Sequence, residues 1–327
     1  MTFVEVQELS RAFWGSRALL TAIELDVFTA VAAGAGAAEV AGRIGADPRA
    51  TEMLLNALVA LGLLTKTKGV FYNTEVAAQY LSDQSPRSRR AGLMHTVHLW
   101  DRWSTLTQTV RKGAPVNLGP ISSLGEGWVG AFITAMHGRA EMTAPALAAA
   151  VGTSGVRRML DVGGGSGGCS IAFAGAAPHL RADVLDLPEV IPLTNRYIEA
   201  AGLSDRVKTR PGDLRTGSLG EGYDLVLVSS ICHMLRPEEN RDLFRRAYQA
   251  LLPGGRVAVR DHLLAPDKTM PPRGALFSLN MLTGTEGGAS YSALEYRGWI
   301  EEAGFRDISQ TELPEGSGLM IGRRPLI

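Results

Sequence analysis

His233, in the run Ser229-Ser230-Ile231-Cys232-His233-Met234-Leu235, is a side chain well suited to moving a proton in this chain. A histidine of ordinary basicity is mostly neutral near pH 7 and can take a proton from a hydroxyl. That role is worth typically about 10²- to 10⁴-fold in rate. A second group of residues could hold a nucleotide. Asp161-Val162-Gly163-Gly164-Gly165-Ser166-Gly167-Gly168 follows the apolar run that contains Met159 and Leu160. Glycines there let a backbone approach its ligand, and the N–H groups of a following helix meet the ligand's polar end. Asp186, about twenty residues further on, is placed to bond ribose hydroxyls. Asp213, in Gly212-Asp213-Leu214, could accept from an adenine amino group.

These residues need a strand–turn–helix scaffold, and the pattern from about 155 onward supplies one. Strands are expected at 157–162, 181–186, 205–210, 223–229 and 255–260, alternating with helices as in a parallel sheet. An antiparallel hairpin, 305–310 with 318–323, would close it, with Gly316 and Gly318 at its turn. His233 then falls beyond the carboxyl end of the fourth strand, where such folds bind ligands. The glycines leave the cofactor open: Gly163, Gly165 and Gly167 fit S-adenosylmethionine enzymes, and Gly163, Gly165 and Gly168 fit dinucleotide folds. The Pro- and Gly-rich segment 264–290 is too long for a simple connection and reads as a lid or pocket element.

Residues 1–150 read as a mostly helical domain ahead of the catalytic domain at 151–327. Apolar residues between Ala18 and Val31 recur at helical spacing. Helices at Ala37 to Arg43 and Ala50 to Leu61 follow, then a hairpin over 62–72, which is the outline of a winged helix. A DNA reader would carry basic and amide side chains on its third helix, yet Thr51 to Leu61 has no Lys or Arg. Burial in a dimer interface suits it better. A long helix is expected over 88–112, bearing His95, His98, Trp100, Arg102 and Trp103, and a second over Trp128 to His137. Phe132 and Met136, four apart, share one face of the second, either as core or as a wall of a pocket.

Lys+Arg and Asp+Glu are both 33, which argues against a nucleic-acid or anionic-membrane footprint. No run approaches the roughly 20 apolar residues of a membrane span. Glu5, Glu8 and Arg11 stand where a signal peptide would be apolar. Cys169 and Cys232 have neither metal-finger nor redox spacing. The expected location is the reducing cytoplasm.

Taken in order, Asp161-Val162-Gly163-Gly164-Gly165-Ser166-Gly167, Asp186-Leu187-Pro188, Gly212-Asp213-Leu214, Ile231-Cys232-His233 and Leu252-Pro253-Gly254-Gly255 resemble a known family. It is the S-adenosylmethionine-dependent O-methyltransferases typified by caffeate and acetylserotonin methyltransferases and their bacterial small-molecule relatives. The resemblance covers nearly the whole chain. It implies a class I methyltransferase, Rossmann-like and doubly wound, with an N-terminal winged-helix domain that makes a homodimer. It also implies S-adenosylmethionine at Asp161, Gly163, Gly165, Gly167, Asp186, Leu187, Gly212, Asp213, Leu214 and Ser229. His233 would be the general base for a phenolic or similar hydroxyl. The small-molecule acceptor would meet Trp103, Phe132, Met136, Arg139, Asn280 and Met281. The chain departs from the plant members at Met234 and Ser229, where they carry Asp and Lys. After Gly287-Gly288 it has Ala289 and Ser290 where the family has a Glu that orients the base. On this reading the base lacks its usual carboxylate partners.

Two other readings follow. Asp261-His262 ends the fifth strand, and His233, His262 and Glu286 could converge on one Zn²⁺ or Fe²⁺. A Lewis acid there would suit C-methylation at the β-carbon of an α-keto acid through its enolate, with Arg139 on the carboxylate. The other is a homologue that binds the cofactor without transferring its methyl group.

Overall fold

The computed structural model describes residues 1–116, 118 and 126–326, Glu126 by its backbone alone. It divides into two compact units, Met1–Asp101 and Arg102–Ile327.

In the first unit, helices Ala37–Ile44 and Pro48–Ala60 precede an antiparallel hairpin, Leu64–Thr67 with Val70–Asn73, and Ala35–Gly36 adds a third strand. Asp47 starts the second helix by accepting from the Ala50 N–H at 2.8 Å, with Pro48 in the first turn. That helix buries Thr51, Leu55 and Leu58 in a core shared with Phe28 and Phe71. The hairpin turns at Lys68 and Gly69, both with positive φ, as a two-residue turn between twisted strands requires.

The second unit is a seven-stranded sheet. Its strands are β1 (Arg158–Val162), β2 (Arg181–Asp186), β3 (Val207–Pro211), β4 (Tyr223–Ser229), β5 (Leu251–Asp261), β6 (Arg306–Glu312) and β7 (Gly318–Arg323). They lie in the order β3-β2-β1-β4-β5-β7-β6, with β1 to β5 parallel and β7 antiparallel to both neighbours. The switch point falls between β1 and β4, so a ligand crevice opens at their carboxyl ends. Alternate residues of the inner strands feed two cores. Val226, Val228, Val257 and Val259 face one, while Leu225, Leu227 and Ala258 face the other.

Two helices differ from expectation. The run over 88–112 is broken into Arg90–Ser104 and Leu106–Lys112, because the Thr105 hydroxyl bonds back to the Arg102 carbonyl at 2.7 Å. The helix expected over 128–137 runs from Glu126 to Val151 and continues through Pro145. Its last turns bury Ala144, Leu147, Ala148 and Val151 against Met159 and Phe173, and that packing carries it past the proline. Within 264–290, residues Pro272–Gly284 form a helix.

Candidate active site

The glycine loop leaves β1 and enters the helix Gly168–Ala176. Gly163, Gly165 and Gly167 all have positive φ, and at Gly164 a Cβ would lie 2.8 Å from the Asp161 carboxylate. Close approach of backbone is therefore built in. The loop is clamped from two sides. Asp186 accepts from the Gly165 and Leu187 N–H groups, each at 2.7 Å. His137 bonds Ser166 Oγ at 3.0 Å through Nδ1 and stacks on Tyr197 with ring centroids 3.8 Å apart.

A cavity of about 1140 Å³, counting space open to solvent, lies over this loop. Among the residues of its wall are Asp161, Gly163, Gly165, Asp186, Leu187, Gly212, Asp213, Leu214 and Ser229, together with Phe132, Met136 and Arg139. Gly167 instead turns toward Thr194 and Ile198. The buried Asp161 carboxyl is pushed up to about 6 by desolvation, which outweighs its bond from Ser170. Burial likewise raises Asp186. Arg260, buried on the same wall, bonds Thr143 at 2.8 Å and Ser230 at 3.0 Å, and its Nε has no hydrogen-bond partner among the described residues.

His233 sits just behind this wall, between Ile231 and Met234, which line it. It lies in the turn Cys232–Met234 and is buried. Its Nδ1 is 2.7 Å from Asp261 Oδ1, so the base does have a carboxylate partner, contrary to the sequence expectation. The partner comes from the end of β5 rather than from the segment after Gly287-Gly288. Desolvation pushes the Asp261 carboxyl up, but the charge and hydrogen bond of His233 and the His262 N–H outweigh it and hold it at about 2. Asp261 is thus an ionised acceptor. Nδ1 must carry the proton, and the Nε2 lone pair is free to accept one. Phe277 packs edge-on to His233 and also contacts His262, at centroid distances of 4.8 and 4.6 Å.

The metal expectation is corrected. Among the described residues no group of three His, Cys, Asp or Glu side chains could hold an ion. Glu286 is largely exposed and pairs with Arg236 at 3.6 Å, and the Nδ1 of His233 is committed to Asp261. His262 is driven down to about 4, first by desolvation. Of the remaining acceptor candidates, Trp103 Nε1 donates to Asn280 at 2.9 Å and Met281 is buried; none of the three is among the cavity's lining residues. Sequence reasoning missed Arg260, Phe277 and the brace on Ser166. Only Arg260 carried a signal, as a charge directly after the apolar run Val257-Ala258-Val259 of a central strand.

The sheet order, the glycine loop and the carboxylate at the end of β2 define an adenosyl-cofactor methyltransferase of the doubly wound class. Residues 125–306 match the O-methyltransferase domain family and residues 7–83 its dimerisation domain. A 3-hydroxy-5-methyl-1-naphthoate 3-O-methyltransferase of Streptomyces sahachiroi is 37% identical over 96% of this chain and 93% of its own. The tetracenomycin polyketide synthesis 8-O-methyl transferase of Streptomyces glaucescens is 32% identical over 98% and 96%. Human N-acetylserotonin methyltransferase, solved with S-adenosylmethionine, superposes with a TM-score of 0.87 at 25% identity, covering 99% of this chain and 97% of that one. The chain belongs to the O-methyltransferase family, and it is an S-adenosylmethionine-dependent methyltransferase. C-methylation through a metal-bound enolate finds no support among these relatives.

Proposed function

We propose that this enzyme methylates a phenolic hydroxyl of a small aromatic metabolite, with His233 as general base and Asp261 as its positioning partner. The observation that carries this reading is the buried 2.7 Å contact between His233 Nδ1 and Asp261, which leaves Nε2 as the proton acceptor. The named acceptor of the Streptomyces sahachiroi relative is a hydroxynaphthoate, and a fused aromatic of that kind suits a wall that includes Phe132 and Met136.

The residues present fit the cofactor. The glycine loop has room for backbone approach, and each Asp186 oxygen bonds one backbone N–H, leaving lone pairs for two ribose hydroxyls. Asp213 and Leu214 would bound the adenine, and Asp161, Gly163 and Ser229 the amino-acid end. S-adenosylmethionine, when bound, supplies a methyl group activated by its sulfonium. The chain's task is to align the acceptor oxygen with that methyl in a site closed to water. His233 Nε2 takes the hydroxyl proton as the oxygen–methyl bond forms and the sulfur–methyl bond breaks. Asp261 meanwhile holds the imidazole in its reactive tautomer and offsets the positive charge it gains. The dimerisation match at 7–83 supports a homodimer formed through the first unit.

The test is incubation with methyl-labelled S-adenosylmethionine and a panel of hydroxyarenes. The label should appear on oxygen, and His233→Ala should lower kcat by at least about 10²-fold. Label on carbon, or a His233→Ala variant within threefold of the parent, would overturn the assignment.

A further inference from the structure

Among the described residues Arg139 stands out as a cation in the wall of the cavity with no side-chain partner. It lies on the helix Glu126–Val151, one turn beyond Met136, and lines the cavity with Phe132 and Met136. Among the described residues its guanidinium makes no hydrogen bond and no ion pair, although its backbone carbonyl accepts from Thr143. The carboxylates close enough to feel it are Asp261 and Glu315. Both are engaged elsewhere, Asp261 by His233 at 2.7 Å and Glu315 by Arg260 at 3.8 Å. Two further cations, Arg260 and Arg273, add to the positive field around it. Arg273 is exposed near the start of the helix Pro272–Gly284 and likewise has no side-chain partner among the described residues.

A half-buried guanidinium without a paired counter-charge is costly, and here it is further destabilised by two like charges. Burial, first, and then the charges of Arg260 and Arg273 lower its affinity for its proton. The geometry calls for an anion that arrives with the ligand. Its position relative to the base is bounded by His262. That imidazole touches Phe277, which also packs on His233, and it lies within the field of both Arg139 and Arg273. Arg139 is thus close enough to His262 to act on its charge, and His262 shares the Phe277 ring with the base.

We infer, resting on the hydroxyl-methylation reading above, that the acceptor is a hydroxyarene bearing a carboxylate, and that Arg139 binds this carboxylate while the hydroxyl meets His233. Arg273 closes the same anion site from its outer edge. The planar fork of the guanidinium matches a carboxylate through two parallel N–H···O bonds. Held this way, the ring is fixed in register, so Arg139 decides which hydroxyl of a polyhydroxylated acid is methylated. A carboxylate in this cavity could also come from the amino-acid end of the cofactor, so the test must separate the two sources.

Calorimetric titration of the S-adenosylhomocysteine-bound enzyme with hydroxynaphthoic and hydroxybenzoic acids, each beside its primary amide, reads the anion site without turnover. Losing a charge-assisted pair weakens binding by about tenfold or more. The parent enzyme should prefer at least one acid over its amide by that factor. Arg139→Met should erase the preference, and Arg273→Met should reduce it by less. Acids that bind no better than their amides, or that do not bind at all, overturn the inference. It is overturned equally if Arg139→Met leaves the preference intact and instead weakens S-adenosylhomocysteine tenfold, which would give the guanidinium to the cofactor. Restoration of the preference in part by Arg139→Lys separates charge from fold. The hydroxyl-methylation reading fails on a different result, when acids bind with the expected preference but none is methylated on oxygen.

Discussion

Replacing Asp261 by Asn tests the dyad directly, because it keeps the volume and an acceptor oxygen while removing the charge. The carboxyl is held near 2 against an ordinary 3.8, on the order of 2 kcal/mol in favour of its ionised form. Desolvation acts in the opposite direction, so the attraction to the imidazole and the His262 N–H bond together exceed this net figure. In the parent enzyme the same attraction is available to the imidazolium formed as the acceptor loses its proton. Without it, kcat near pH 7.5 should fall by about 10²-fold, since each 1.36 kcal/mol is tenfold in rate. Acceptor affinity should change less, because the lost interaction is strongest in the transition state. The assay is kcat and KM for a phenolic acceptor, followed by product mass from pH 6.5 to 10. As the pH approaches the phenol's own ionisation near 10, the acceptor loses its proton without help and the variant should recover toward the parent. An Asp261→Asn enzyme with kcat within threefold of the parent at pH 7.5 would refute the dyad. So would a deficit that does not narrow as pH rises, which would indicate a misfolded site and not a lost base.

Asp161 makes a prediction of opposite sign for stability. Its folded-state value, near 6, lies above the ordinary 3.8, so the folded protein binds the extra proton between about pH 4 and 6, and stability from this group is lost as pH rises through 6. Asp161→Asn should therefore stabilise the cofactor-free protein by about 3 kcal/mol at pH 8 and by roughly half as much at pH 5. Urea unfolding at the two pH values measures it, and an equal effect at both would contradict the buried-charge argument. Glu286, exposed and paired with Arg236, should be replaceable by Ala with kcat within twofold. A loss of tenfold or more would mean that the 286 side chain enters the acceptor site.

Much of this site was legible because backbone requirements leave marks in sequence. A strand that must turn at once into a helix needs glycine, and the positive φ values at 163, 165 and 167 fall where the glycine spacing placed them. Strands β1, β4 and β5 carry short apolar runs, the alternation with helices marked β2 and β3, and all five begin and end within a few residues of expectation. The partner of His233 was harder to find. Asp261 is 28 residues away, and only the parallel pairing of β4 with β5 brings the two together. Sequence reasoning saw the neighbouring strands but considered only His262 of the Asp261-His262 pair, as a metal ligand with His233 and Glu286, and gave Asp261 no role. The length of the helix Glu126–Val151 was hidden for a similar reason. Tertiary packing, not local propensity, carries it through Pro145.

The end of β5 also explains how one strand serves two halves of the reaction. Successive residues of a strand point to opposite faces. Arg260 therefore turns to the side of Thr143 and the cavity wall, and Asp261 to the side of His233. The register between β4 and β5 is what puts the right residue on each side. Ser229 pairs with Arg260, and the Ser230 N–H extends the ladder to the Arg260 carbonyl at 2.8 Å. Ser230 then adopts φ 60, a left-handed conformation that a non-glycine residue holds only where its surroundings enforce it. Here the ladder bond and the Arg260–Ser230 side-chain bond do so. The reversal lets the turn Cys232–Met234 fold back over β5, and Asn240 secures it by donating to the Cys232 carbonyl at 3.0 Å. A slip of one residue in this register would present Arg260 to His233 and Asp261 to the cavity wall, exchanging the charge that a base needs for the one that opposes it. Catalytic geometry in this enzyme thus rests on a backbone ladder that also holds the sheet together. For that reason mutations at 230 and 260 should alter the base and the cavity wall together.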